Sequence, residues 1–229
     1  VTMMVGYDYC DEFSCLPIAT NHLETGLSVG PAKIMLSLTT GSLIPDQKSL
    51  TDTITRLQLK GWQVAVHAVE QEAIECAATA ICLASKIKSG ARHRIEHCSE
   101  GDPTVIPLVD KSGAIVVTNP GFVWHFGDRY RSTLGSNIVS NIYPTGSLEN
   151  WKIPWAIGSD APMIMPDPIL DIYTCATRVS KSGNPVGKEQ AIPISQGIKA
   201  YTYGAAYSCF QEGQLGSIER GKFADLVLL

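Results

Sequence analysis

From residue 30 onward, short apolar runs rich in β-branched residues alternate with stretches of helical period. The runs AKIMLSL (32–38), WQVAVHAV (62–69), HRIEHC (93–98), AIVVTNP (114–120) and PWAIGSDA (154–161) are nearly continuously apolar and end in polar residues. That pattern predicts strands buried on both faces whose C-terminal ends open into a polar cleft. Between the second and third, QEAIECAATAICLASKIK places Ile74, Ala77, Ala78, Ile81 and Ala84 on one stripe, the mark of an amphipathic helix. Further helices are predicted at 46–60, 102–111, 167–182 and 193–210. Strands alternating with helices specify an α/β chain built of βα units on a parallel sheet.

Successive strands recur about every thirty residues over much of the chain, and no G-x-G-x-x-G or G-x-x-x-x-G-K-[ST] loop follows any of them. A nucleotide-binding sheet therefore gives way to a barrel. With VTMMVGYDY counted as a strand there are about six units, where a closed (β/α)8 barrel needs eight. The expectation is an incomplete TIM-like barrel over residues 1–212, with two strands missing on the N-terminal side. After it, GQLGSIERGKFADLVLL (213–229) changes to turn glycines and short strands, which reads as the beginning of a small β domain. Both ends fall inside β-like runs, so the sequence reads as a fragment of something longer.

Composition removes several classes of function. Of the 229 residues 45% are hydrophobic and only 17% charged, which excludes intrinsic disorder. Eighteen Lys and Arg against 22 Asp and Glu leave a formal charge of -4 with no basic cluster, so nucleic acid is not an expected partner. Seven cysteines without a C-x-x-C pair suit a reducing cytoplasm. No apolar run reaches the roughly eighteen residues of a membrane helix, and no signal segment opens the chain.

In a parallel barrel the working residues lie at the C-terminal strand ends. Four polar residues stand there: Lys33, His67, His97 and Asp160. His67 and His97 are thirty residues apart, one βα repeat, so each projects from a neighbouring strand toward a common point. Two neutral imidazoles share a divalent metal readily. Asp160 could join them as a ligand or take a proton from a water held by the metal. This donor set points to zinc or a similar cation. Taken singly, each residue has an ordinary structural reading, a core hydrogen bond for a histidine or a turn cap for an Asp before Ala-Pro. Taken together at strand ends, they favour a site.

The strings AKIML, GWQVAVHAVEQEAI, RHRIEHCSE, NPGFVWHFGDRY, WAIGSDAPMIMPDPI and AYTYGAAYSCFQEGQLGSIERGKFADLVLL resemble consecutive blocks of the amidohydrolase superfamily, specifically amidohydrolase family 3 and its N-substituted formamide deformylase-like members. The resemblance implies a metal-dependent hydrolase of amide, formamide or related C-N bonds, on a distorted barrel beside a small β-sandwich. It implies that Lys33 is the lysine that takes up carbon dioxide as a carbamate and bridges two metals, though a core lysine paired with a carboxylate is the plain alternative. It implies that His67 and His97 are metal ligands. It also implies that Asp160 is both ligand and catalytic acid, orienting the water and passing its proton to the leaving nitrogen. One or two divalent ions, zinc first, would be the cofactor.

The family's His-x-His pair from the first strand has no counterpart here, since His22, His93 and His125 are isolated. His93 stands between Arg92 and Arg94 at a strand start, away from the catalytic end. His125 is placed in a loop over the cleft, with Trp124, Arg129 and Tyr130 as companion candidates for substrate contact and lid packing as the plainer reading. Three functions compete on this evidence. The first is a truncated hydrolase of a small-molecule C-N bond working through metal-activated water. The second is a non-catalytic remnant without bound metal. The third is a homo-oligomer in which paired chains cover each other's open edges.

Overall fold

The computed structural model describes residues 1–12, 28–39 and 41–228. Cys15 and His22 lie outside them. Six parallel strands form one sheet in the order β1-β2-β5-β6-β7-β8. They are β1 (Thr2–Gly6), β2 (Ser28–Met35), β5 (Val64–Ala68), β6 (Arg94–His97), β7 (Ile115–Thr118) and β8 (Trp155–Ile157). Between β2 and β5 the chain makes a separate antiparallel pair, β3 (Ser37–Thr39) and β4 (Ser42–Ile44). The run predicted as one strand over 32–38 is thus broken at Leu36, and Gly41 turns the pair at φ 78°.

The helices begin where side chains can take up their free N–H groups. Asp46 accepts from the Ser49 N–H at the head of α1 (Gln47–Leu59), and Asp167 accepts from Leu170 N–H at the head of α7 (Pro168–Thr177), with Pro168 at the first position. On one side of the sheet α1, α2 (Gln71–Ser85) and α3 (Ile106–Ser112) bury Leu50, Ile54, Leu57, Ile74, Ile81 and Val109. These pack with Ile34, Val64, Val66, Ile95 and Val116 of the strands into the main core. Every residue of β6, β7 and β8 is buried, which is why β7 and β8 read as apolar runs, while β6 buries Arg94 and Glu96 as an ion pair.

Three departures from the sequence reading matter. The segment after β7, expected as a loop, folds into α4 (Gly121–Thr133), α5 (Ser136–Asn141) and α6 (Thr145–Asn150). The helix predicted over 167–182 stops at Thr177, because Arg178 turns left-handed at φ 52°. The helix predicted over 193–210 is continuous but changes pitch: α8 (Ile194–Lys199) runs into a π turn over Ala200–Gly204 and then α9 (Ala205–Ser208). At that turn Gly204 lies against the backbone of β8, where an added Cβ would stand 2.3 Å from the Trp155 carbonyl oxygen. Residues 211–228 turn and extend without forming a strand among the described residues, and Leu226, Val227 and Leu228 are exposed. No described helix is long and apolar enough to cross a membrane.

Candidate active site

Sheet register decides which predicted residues meet. Met35 of β2 lies beside His67 of β5, and His67 lies beside Glu96 of β6, whereas His97 is in register with Ala68. By strict alternation His97 would face away from His67. It does not, because β6 ends there: His97 and Cys98 take φ of 72° and 48°, and this left-handed turn re-aims the imidazole. The two rings meet edge to face with centroids 4.5 Å apart.

Hydrogen bonds from the next strands hold this strand end. The Thr118 hydroxyl donates to the His97 carbonyl at 2.7 Å, and Asn119 Nδ2 donates to the Gly158 carbonyl at 2.6 Å. The Asn119 amide is thereby oriented with Oδ1 toward His97 Nδ1, 2.7 Å away. Because Oδ1 can only accept, Nδ1 carries the proton and Nε2 of a neutral ring keeps its lone pair. His67 is neutral at ordinary pH: burial, with the neighbouring His97 and Lys33 adding to it, pushes its pKa down to about 4. Two imidazoles so placed are suited to a soft or borderline divalent cation.

A cavity of about 390 Å³ opens over the pair, lined by His67, His97 and Asp160 together with Ser99, Glu100, Phe122, Arg129, Tyr130 and Tyr143. Asp160 is exposed and left-handed at φ 56°, just beyond β8, and its carbonyl accepts the Met163 N–H at 2.9 Å. Glu100 lies at the head of α2, where it accepts from the Gln71 N–H, while burial raises its pKa. Tyr143 is buried at φ 47°, and its hydroxyl sits 3.2 Å from that of Tyr130. Burial drives the Tyr143 hydroxyl upward, so it stays protonated as a donor.

The expectation that Lys33, His67, His97 and Asp160 converge on one cation needs correction. Among the described residues no three His, Cys, Asp or Glu side chains come close enough to hold a metal. The reason is again register. Lys33 is level with Ala65, two residues before His67, and so sits one side-chain layer below the histidines at roughly 3.3 Å per residue. Asp160 stands three residues beyond the end of β8, on the wall of the same cavity.

Lys33 is not the paired core lysine of the plain reading either. Glu96, the nearest acid by its effect on Lys33, is engaged by Arg94 of the same strand at 2.8 Å in a buried ion pair. Half-buried and without an ion pair of its own among the described residues, the Lys33 amine is held below its ordinary pKa, mainly by desolvation.

Of the substrate-contact candidates, Arg129 and Tyr130 line the cavity and Trp124 and His125 do not. The correction follows from the helix that replaced the expected loop. On α4 the positions 122, 129, 130 and 133 share the face over the cavity, while position 124 falls opposite and 125 at the flank. Trp124 packs edge to face on Tyr173 of α7 at 5.9 Å, and His125 is exposed against Phe126. His93 keeps its ordinary role: its Nδ1 accepts the Val64 N–H at 3.0 Å and its Nε2 meets Gln58 Oε1 at 2.7 Å.

Sequence reading missed Asn119, Glu100 and Tyr143. For Asn119 a signal existed, a polar residue at a strand end just like the four that were singled out. Tyr143 reaches the cavity through a buried arginine. Arg178, with 0% exposure, donates to the carbonyls of Ile142, Tyr143, Val186 and Gly187 and faces no carboxylate in those contacts.

A sheet of six parallel strands with helices in its crossovers is a partial (β/α)8-type barrel, and comparison with known proteins agrees on that fold. The sequence profile of the amidohydrolase family matches residues 22–229, and the chain belongs to that family. It is 29% identical over 194 residues to YtcJ of Bacillus subtilis (strain 168), named as an amidohydrolase, covering 83% of this chain and 36% of that protein. It is 22% identical over 191 residues to the N-substituted formamide deformylase of Arthrobacter pascens, covering 82% of this chain and 35% of the relative. Among solved structures, an uncharacterised metal-dependent hydrolase from Pyrococcus furiosus superposes with a TM-score of 0.77 at 21% identity, over 95% of this chain and 47% of its own. The chain therefore spans about a third of the length of these curated relatives and about half of that structure.

Proposed function

We propose that the cavity is the working end of a metal-dependent hydrolase that cleaves an amide- or formamide-type C-N bond in a small molecule. One observation carries this reading: a contacting pair of imidazoles at adjacent strand ends, with the His97 tautomer fixed by Asn119, shares a cavity with Asp160. The donor chemistry fits a divalent cation, zinc first, although the pair alone supplies only two ligands. When bound, such a cation supplies Lewis acidity, polarising the substrate carbonyl and acidifying water.

This chain's residues do the rest. His67 and His97 would hold the cation. The Lys33 amine, held below its ordinary pKa by desolvation, would in its unprotonated form add to carbon dioxide, losing a proton to give a carbamate whose two oxygens could serve as further ligands. Asp160 takes the proton of the attacking water and delivers it to the leaving nitrogen. The Tyr130 and Tyr143 hydroxyls offer a donor on the opposite wall.

Zinc titration of the chelator-stripped protein, followed by elemental analysis, tests the reading together with turnover of N-formyl and N-acetyl amines. The native protein should bind zinc stoichiometrically, H67A and H97A should lose it, and D160N should keep zinc while losing turnover. Zinc binding no tighter than that of the double histidine variant overturns the proposal. A second reading, a chain that keeps the fold without catalysis, is favoured by the lack of a third convergent donor among the described residues. It predicts that outcome.

A further inference from the structure

We infer that the substrate carries a carboxylate, and that Arg129 is the residue that selects it. The inference deepens the hydrolase reading and rests on the same cavity. Arg129 is the cation of the α4 wall, exposed at the cavity it lines, and among the described residues no acid lies within ion-pair distance of its guanidinium. Its neighbour Asp128 is already engaged by Ser180 and Asn184, both at 2.8 Å.

The guanidinium is nonetheless held in place. It lies over the rings of Phe126 and Tyr130, 5.1 and 5.6 Å from their centroids. Stacking of this kind orders the side chain and leaves its N–H edge free to form a two-pronged bond with a carboxylate.

The surroundings support an anion at this end. Tyr130 and Tyr143 face each other through their hydroxyls, one donating to the other. The cavity acids, Asp160 and Glu100, would repel a second carboxylate near them, so the anionic end of a substrate is directed to the α4 wall. Phe122, Leu134 and Ile142 supply apolar surface on that side. At about 390 Å³ the cavity lies toward the small end of the usual ligand-site range, which suits an acylated amino-acid-sized molecule.

The test measures binding without turnover, by calorimetry on the full chain. N-benzoylglycine is compared with its uncharged amide, N-benzoylglycinamide, for the native protein, R129Q and R129K. The native protein should bind the acid at least about tenfold tighter than the amide, as expected for a charge-assisted bidentate contact. R129Q should close that gap, and R129K should restore part of it. Equal affinities in the native protein, an acid preference that survives in R129Q, or binding of neither compound overturns the inference. Acid preference without zinc-dependent hydrolysis refutes the hydrolase reading alone. Hydrolysis with no acid preference refutes this inference alone.

Discussion

His93 gives the sharpest quantitative prediction, because its environment is fully specified. The ring is 2% exposed, accepts the Val64 N–H on Nδ1 and so donates through Nε2 to Gln58 Oε1. Neither nitrogen is left for a second proton, and burial lowers its pKa from 6.5 to about 4. In the unfolded chain the same ring protonates near 6.5. Between these values only the unfolded state binds the proton, so stability increases with pH across the window. The contribution is complete above about pH 6.5 and is lost as pH falls toward 4. At 1.36 kcal/mol per pKa unit it amounts to about 3 kcal/mol. Urea denaturation of the native protein and H93N at closely spaced pH values from 7.5 to 4.5 measures it. Asn retains an acceptor for Val64 but does not titrate, so H93N should lower the whole curve and remove this component of its slope. Subtracting the two curves cancels every other titrating group. A difference that stays constant with pH, or an NMR titration placing folded His93 near 6.5, would refute the reasoning.

Asp171 carries the opposite sign: burial lifts its carboxyl to about 6, so ionising it costs stability as pH rises through that value. Asn at this position keeps an acceptor for the Tyr201 hydroxyl, and D171N should be more stable than native by about 3 kcal/mol at pH 7.5 and no more stable below pH 4, as read by urea denaturation. Gly121 opens α4 directly beneath that carboxylate, and the Cβ of G121A would stand 2.1 Å from Asp171 Oδ1. G121A should lower Tm by several degrees, whereas G135A, which meets open space, should not; equal Tm values would contradict the packing. R178M should orphan four buried carbonyls at about 1–3 kcal/mol each before relaxation, and hydrogen exchange should accelerate at 142–143 and 186–187. Unchanged exchange there would remove Arg178 as the clamp behind Tyr143. If the metal reading is right, N119A should weaken zinc binding by about 10–100-fold in competition with a chromophoric chelator, and unchanged affinity would show that His97 needs no anchor.

Local pattern alone determined the βα alternation, the positions of β5 to β8 and the amphipathic α2. Strands buried on both faces are largely apolar, with β6 burying its two charges as an ion pair, and a helix between sheet and solvent must be striped, so burial writes those elements into the order of residues. The thirty-residue interval between His67 and His97 was legible for the same reason, since both end neighbouring strands. What tertiary structure decided is where each side chain is aimed. Whether His97 faces His67 depends on two left-handed residues at the end of β6 and on an Asn one strand away. Whether Lys33 stands level with the histidines depends on inter-strand register. Which of Trp124, His125, Arg129 and Tyr130 reach the cavity depends on the segment being a helix whose apolar residues pack on the neighbouring turns and on α7. Those outcomes are set by backbone dihedrals and by hydrogen bonds between segments distant in the chain, and no local window of sequence contains both partners.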